Sequence, residues 1–277
     1  MNRRPVALFA FLGLGYAFLY GPILSVIFYS FNENRLVTVW SGFSTKWYGE
    51  LFRNERMIEA AITSLKIAAM SATGAVVLGT LAGYCLARMP SFWGRTLFAG
   101  LVSAPLVMPE VITGLASLLL FVGLEQMIGW PDGRGVDTIT IAHITFTLSF
   151  VAVIVQARLK DMDQSVEEAA MDLGARPWQV FFLITLPLIL PALVSGWLLA
   201  FTISLDDLVI TSFVSGPGSS TLPMMIFSKV RLGVSPEINA LATLIVGIVT
   251  TGILISGLLM FRQNREKERS AREAAGG

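Results

Sequence analysis

Long apolar runs recur along this chain, and they restrict its fold more than any other feature. A bilayer core about 30 Å thick is crossed by roughly 20 consecutive apolar residues in helical conformation. Six stretches reach that length, at residues 6–29, 64–87, 97–123, 139–157, 188–213 and 238–261. Only 14% of the residues are charged, against about 25% in soluble domains. The chain therefore reads as an all-α, polytopic membrane protein with six transmembrane helices in a single domain, residues 1–277. Arg3, Arg4 and Pro5 precede the first run. That run is too long for the core of a cleaved signal peptide and is followed by no small-residue cleavage pattern, so it reads as a retained anchor.

Sidedness follows from Lys and Arg in the short connections. Arg88 and Arg95 lie in the 88–96 loop without an acid, and Arg158 and Lys160 open the 158–187 loop. The 262–277 tail holds Arg262, Arg265, Lys267, Arg269 and Arg272, whereas the 124–138 loop sets Arg134 against Glu125, Asp132 and Asp137. Both termini are thus expected in the cytoplasm. The 30–63 segment falls outside, and its Trp40, Phe43, Trp47, Tyr48 and Phe52 suit a helix at the membrane–water boundary. A partly ordered loop with incidental aromatics is the alternative.

Charge and composition exclude several functions. The net charge is +1 and the basic residues form no stripe, so nucleic acid is not an expected partner. Cys85 is alone, so no disulfide forms within the chain. His143 is the one histidine, which excludes a His-rich metal site. It reads as a polar residue near the outer boundary. No Gly-x-x-x-x-Gly-Lys-Ser/Thr occurs, so ATP is not expected to bind here. No internal repeat of the kind seen in inverted-repeat transporters is visible.

The loop between the fourth and fifth runs is more ordered than a simple connection requires. Ser165 and Glu168 have the spacing of a capping box, which predicts a short helix over 166–173. Gly174 suits the left-handed residue that closes it, and Pro177 suits the first position of a second helix. Trp178, Phe181, Phe182 and Thr185 then recur at helical spacing, while Pro187 and Pro191 are expected to interrupt the approach to the fifth span. Ala169 and Ala170 leave the first helix slim enough to enter a groove. A capped loop that merely joins two spans fits the same residues.

Polar residues at membrane depth are the other candidates. A carboxylate there costs at least about 2.5 kcal/mol on insertion scales and usually faces a bundle interior or a watery path. Asp206 and Asp207 stand together in Ser204-Leu-Asp-Asp-Leu208, and successive helical residues diverge by about 100°. One of them can line a path while the other binds a neighbouring helix; a purely structural pair remains open. Glu110 follows Pro105 and Pro109, where a kink with a buried carboxylate is expected and solute contact is the sharper alternative. The two aspartates are sequential and no other span holds an Asp, which disfavours a membrane aspartyl protease, whose paired carboxyls share a proton across a site.

Glu168-Ala169-Ala170, three residues, Gly174, nine residues, then Ile184-x-Leu186-Pro187 resembles the EAA loop of bacterial ABC importer permeases at every element. The resemblance implies the type I importer permease fold. It also gives Glu168, Ala169, Ala170 and Gly174 the role of a coupling helix docking on an ATPase, with Ile184, Leu186 and Pro187 at the joint with span five. Asn32 after Tyr29-Ser-Phe31, the Ala104–Glu110 run, Ser204–Asp207 and Thr221-Leu-Pro223 are similar to polyamine importer permeases. Leu36–Trp40, Glu168–Gly174 and Ser204–Pro217 resemble, more narrowly, the second-permease class of putrescine systems.

What that resemblance implies is alternating-access transport of putrescine or a related polyamine across a bacterial inner membrane. A heterodimer with a second, homologous permease is implied, with two ATPase subunits that hold ATP and Mg and a periplasmic polyamine-binding protein. No cofactor is implied for this chain itself. Asp206, Asp207 and Glu110 agree in sign with a dicationic cargo. The EAA loop is shared across cargoes, so an importer of another small solute is the alternative, and a passive channel would lack a stable ATPase partner.

Overall fold

The computed structural model describes residues 3–36, 39–89, 91–233 and 236–251. They are predominantly helical, with one isolated bridge between Asn32 and Phe43. The chain packs as two compact units, residues 56–227 forming one and the flanking segments the other.

In the flanking unit, α1 (Arg3–Ser30) is apolar around its circumference from Leu8 and largely open from Leu8 to Phe28, as expected of a helix facing lipid or another subunit. Asn32 organises the loop behind it. Its buried side chain donates to the carbonyls of Val39 (2.7 Å) and Leu36 (3.4 Å) and accepts from the amides of Ser41 and Asn34. The Trp47 indole donates to the Asn32 carbonyl at 2.7 Å, which fixes α2 (Lys46–Arg53). This short amphipathic helix buries Trp47 and Leu51 and leaves Phe52 exposed. The aromatics of the segment thus divide between a small core and an open face. The last described helix runs over Pro236–Thr251, and the remainder of the 238–261 run and the 262–277 tail lie outside the described residues.

The larger unit begins with α3 (Glu55–Arg88), 34 residues long. It starts well before residue 64, the expected onset of the second span. The third run is divided into α4 (Arg95–Val107) and α5 (Glu110–Ile128). The break falls at Met108–Pro109, where proline supplies no N–H and biases the preceding residue to extended backbone; Met108 has ψ 136°. Next come α6 (Val136–Asp161) and α7 (Ser165–Asp172). After them, helical structure is continuous from α8 (Pro177–Val180) through a π turn (Phe181–Thr185) into α9 (Leu186–Asp206). Pro187 and Pro191 therefore do not interrupt the span. The wide turn shifts the hydrogen-bond frame, the Leu186 amide donating to Phe181 O, so Pro187 enters at the start of a new α-helical stretch, where its missing N–H is tolerated. The element α10 (Val209–Val214) follows a break at Asp207–Leu208, and α11 (Leu222–Leu232) comes last. Among the described residues, five helices are long and apolar enough to cross a membrane.

Small residues set the packing of this unit. Without water to drive helices together in lipid, close backbone approach is what binds them, and Gly and Ala allow it. A Cβ at Gly79 would lie 2.8 Å from the Leu148 carbonyl oxygen, and one at Gly83 2.8 Å from that of Ala152. Ala72 and Ala75 of α3, Val151, Val155 and Leu159 of α6, and Ile189, Leu193 and Ala200 of α9 form one buried core. Ser71 Oγ donates to Thr140 O at 3.2 Å across the α3–α6 seam. Because the atom opposing Gly79 is backbone, it cannot swing aside. Gly79→Val is therefore expected to destabilise the detergent-solubilised chain by about 1–3 kcal/mol, read as a lowered thermal midpoint. Gly100→Ala in α4, which meets open space, should leave the midpoint unchanged or slightly raised.

Candidate functional site: a coupling loop and a polar break in the fifth span

The 158–187 loop is built on α7. Its N-terminus differs from the expected capping box: the helix begins at Ser165 itself, and the Ser165 amide donates to Asp163 Oδ1 at 3.0 Å. That bond, with a second from the Ser165 hydroxyl, holds the Asp163 carboxyl below its ordinary range. The aspartate, two residues upstream, takes the Ser165 amide that the Glu168 side chain would bond in a capping box. The C-terminus closes at Gly174, with φ +90°. The Gly174 amide donates to Met171 O at 2.9 Å and the Ala175 amide to Ala170 O at 3.0 Å, the paired closure of a Schellman motif. A Cβ at Gly174 meets nothing within 4 Å, so backbone sign, and not space, selects glycine. Pro177 opens α8 at the first turn.

The two adjacent glutamates of α7 point in opposite directions. Glu168 and Ala169 are exposed and Ala170 is half-buried. Glu167 is 5% exposed and its carboxylate lies 2.7 Å from Arg88 Nε at the end of α3. The Thr185 hydroxyl, in the π turn, donates to the other Glu167 oxygen at 2.5 Å. Behind this contact the inward face is Val180, buried, and Phe181, stacked edge-on to Tyr84 at 4.9 Å. Trp178 and Phe182, expected on that face, are exposed. Of the joint residues, Ile184 and Leu186 are half-buried, with Leu186 against the α3–α6–α9 core, and Pro187 is exposed.

At the other end of α9 the aspartate pair is split. Asp206, the last residue of α9, is exposed. Asp207 has extended backbone and a side chain only 6% exposed. Its Oδ2 accepts from the Thr211 amide and hydroxyl, each at 2.8 Å, and its Oδ1 from the Ile210 amide at 3.3 Å. It thereby satisfies the first amides of α10, which the break would otherwise orphan. His143 completes the cluster. Its Nε2 lies 3.2 Å from Asp207 Oδ2 and 3.0 Å from Thr211 Oγ1, and its Nδ1 lies 2.7 Å from Ser204 Oγ. The histidine expected at an outer boundary is 2% exposed and joins α6, α9 and α10. Its sequence signal was its setting: a lone imidazole in an apolar helix needs polar partners, and Ser204, Asp207 and Thr211 were the nearest concentration of them on another run.

Glu110 stands in the first turn of α5, after the proline break, and is exposed where burial was expected. The break leaves the first turn of α5 open to the surface, while the next turn packs inward. Thr113 is buried, and a Cβ at Gly114 would lie 2.7 Å from Phe213 of α10. Among the described residues, no hydrogen bond or ion pair joins Glu110 to Asp206 or Asp207.

These features have close counterparts. Over 281 residues, covering 100% of both chains, the protein is 56% identical to the putrescine transport system permease protein PotI of Escherichia coli (strain K12). It is 41% identical over 244 residues, 88% of this chain and 90% of the other, to the spermidine/putrescine transport system permease protein PotC of the same strain. A bacterial ABC transporter involved in import of the acidic polysaccharide alginate shares the fold, with a TM-score of 0.70 over 94% of this chain and 98% of that one at 16% identity. Residues 57–269 match the family described as binding-protein-dependent transport system inner membrane component, and the chain belongs to that family of multi-pass inner-membrane ABC importer permeases.

Proposed function

We propose that this chain is one of two homologous permeases of an ABC importer that carries putrescine or a related polyamine from periplasm to cytoplasm by alternating access. The observation that carries the cargo is its 56% identity over full length to a putrescine permease. In this reading both termini, the 158–187 loop and the 262–277 tail face the cytoplasm, and the 30–63 segment faces the periplasm. Two ATPase subunits bind ATP and Mg, and this chain has no ATPase site of its own. A periplasmic polyamine-binding protein delivers the cargo.

The shape of α7 supports docking on an ATPase. Glu168 and Ala169 are presented on a helix fixed at both ends, and Leu173, 90% exposed, adds an apolar contact beside Trp178. A slim helix with one charge and apolar neighbours fits a groove. Ala170, Gly174, Ile184, Leu186 and Pro187 set its angle and its joint with α9. The path reading assigns Asp206 and Glu110 to the passing dication, because both are exposed carboxylates at breaks between apolar helices. Asp207 acts behind Asp206 by holding the break.

Three measurements test these assignments. Deleting the gene should abolish uptake of labelled putrescine, with spermidine as competitor; unchanged polyamine uptake would assign the importer another small solute. Glu168→Arg should weaken co-purification of the ATPase, and Gly174→Ala should do so more mildly, since left-handed backbone costs a non-glycine residue roughly 1–2 kcal/mol. Undiminished association would count against the docking role. Asp206→Asn should slow putrescine uptake several-fold at an unchanged membrane level. Asp207→Ala, which strips a partner from His143 and leaves buried donors unsatisfied at about 1–3 kcal/mol, should instead lower the thermal midpoint.

A further inference from the structure

The buried contact behind the docking face is distinct from the EAA residues and has a role of its own. Glu167 is the residue through which α7 is fastened to the membrane helices. One carboxylate oxygen pairs with Arg88 of α3 and the other accepts from Thr185 at the entry to α9. Arg88 also reaches Met162 O, just past the end of α6, at 3.5 Å. Glu167, adjacent in sequence to the exposed Glu168, therefore ties the coupling helix to α3 and to the entry of α9, and Arg88 extends the contact to the residue that follows α6.

Two observations set this contact apart from ordinary helix glue. Thr140, Thr145, Thr147 and Thr202 turn their hydroxyls back to the carbonyl four residues earlier. Thr185 reaches out of its own helix to Glu167, and it does so from the π turn, where the helix frame is already shifted. Secondly, a buried ion pair adds little net stability compared with apolar packing, because desolvation offsets its attraction. What such a pair supplies is a fixed register between elements, since any sliding leaves a charge unpaired. A cleft of about 140 Å³, lined by Tyr84, Met171, Pro177 and Val180 among others, opens beside the pair.

We infer that Glu167, Arg88 and Thr185 form the linkage that passes motion between the coupling helix and α3 and α9, with Glu167 as its positioning residue. This rests on the reading of α7 as the ATPase-docking helix. The linkage should carry signals in both directions: ATP-driven movement toward the membrane helices, and arrival of the binding protein toward the ATPase.

The test uses the whole transporter reconstituted in nanodiscs, with Glu167→Gln, Arg88→Met, Thr185→Val and the exchange pair Glu167→Arg with Arg88→Glu. The readout is the ratio of ATP hydrolysis with the binding protein to basal hydrolysis, per ATPase subunit retained. In the Glu167→Gln and Arg88→Met complexes, basal hydrolysis should stay within twofold of the parent while stimulation falls at least fivefold; the exchange pair should recover at least half of it. Thr185→Val, which keeps the side-chain shape, should lose stimulation at least threefold, and it decides the matter if the charge variants do not assemble. Stimulation that is unchanged, or that falls only in proportion to lost ATPase subunits or lost basal activity, overturns the linkage. Failure of the docking reading appears separately, as ATPase retained by Glu168→Arg. Failure of the cargo reading appears as absent putrescine uptake by the parent complex.

Discussion

A helix that breaks inside lipid exposes amides and carbonyls to a medium that cannot pair with them. The irregularities of the larger unit are met by side chains, by a shifted helical frame or by proline itself. Asp207 takes the amides of α10 after the break that ends α9. At the far end of α10, the Thr138 hydroxyl donates to Val214 O at 2.7 Å and Arg134 to Phe213 O at 3.3 Å. The π turn keeps the Leu186 amide bonded while admitting Pro187 behind it. The break at Met108–Pro109 is opened by a residue that lacks the N–H in question, and Pro109 O accepts the Ile112 and Thr113 amides. Polar side chains thus serve these departures from regularity, while others, such as Thr140 and Thr147, turn back onto their own helix.

Two pairs of adjacent acids are divided in the same way. At the C-terminal end of α9 the His143 cluster buries Asp207 and leaves Asp206 exposed. On α7, Glu167 is buried and Glu168 is exposed. In both pairs, two adjacent acids differ in role because a residue on another helix, His143 or Arg88, claims one of them. Adjacency in sequence thus says little about shared function: the helical rotation of about 100° per residue sends neighbours to different environments.

The long apolar runs and the helix–Gly–helix shape of the 158–187 loop were legible because their signals are local. Run length, Gly174 before Pro177, and the EAA spacing all act within a few residues of where they are read. Boundaries were less so: α3 extends outward past its apolar stretch because polar residues such as Glu59 and Arg56 continue a helix as readily as apolar ones. The Asp163 cap was missed because Ser165 and Glu168 offered a competing pattern of equal local quality. The partners of His143 and Glu167 lie 61 and 79 positions away, at Ser204 and Arg88 respectively. Such long-range pairings carry no mark in a single sequence beyond the presence of unpaired polar groups. Glu110 reads as buried because the prolines before it predict a kink packed against protein, yet the break leaves it exposed in the first turn of α5.

The π turn at Phe181–Thr185 has one more consequence. A wide turn accommodates one residue beyond the regular helical count, so the chain on either side of it is rotated relative to an uninterrupted α-helix by about 100°. The faces of α9, including those that carry Ser204 and Asp206, are therefore phased to the preceding helices through this single extra residue. Losing one residue here, with relaxation to a regular helix, would turn the C-terminal end of α9 by about 100°, more than a quarter of a revolution. A change of length in this stretch is inherited by everything downstream, whereas a change of residue acts where it stands.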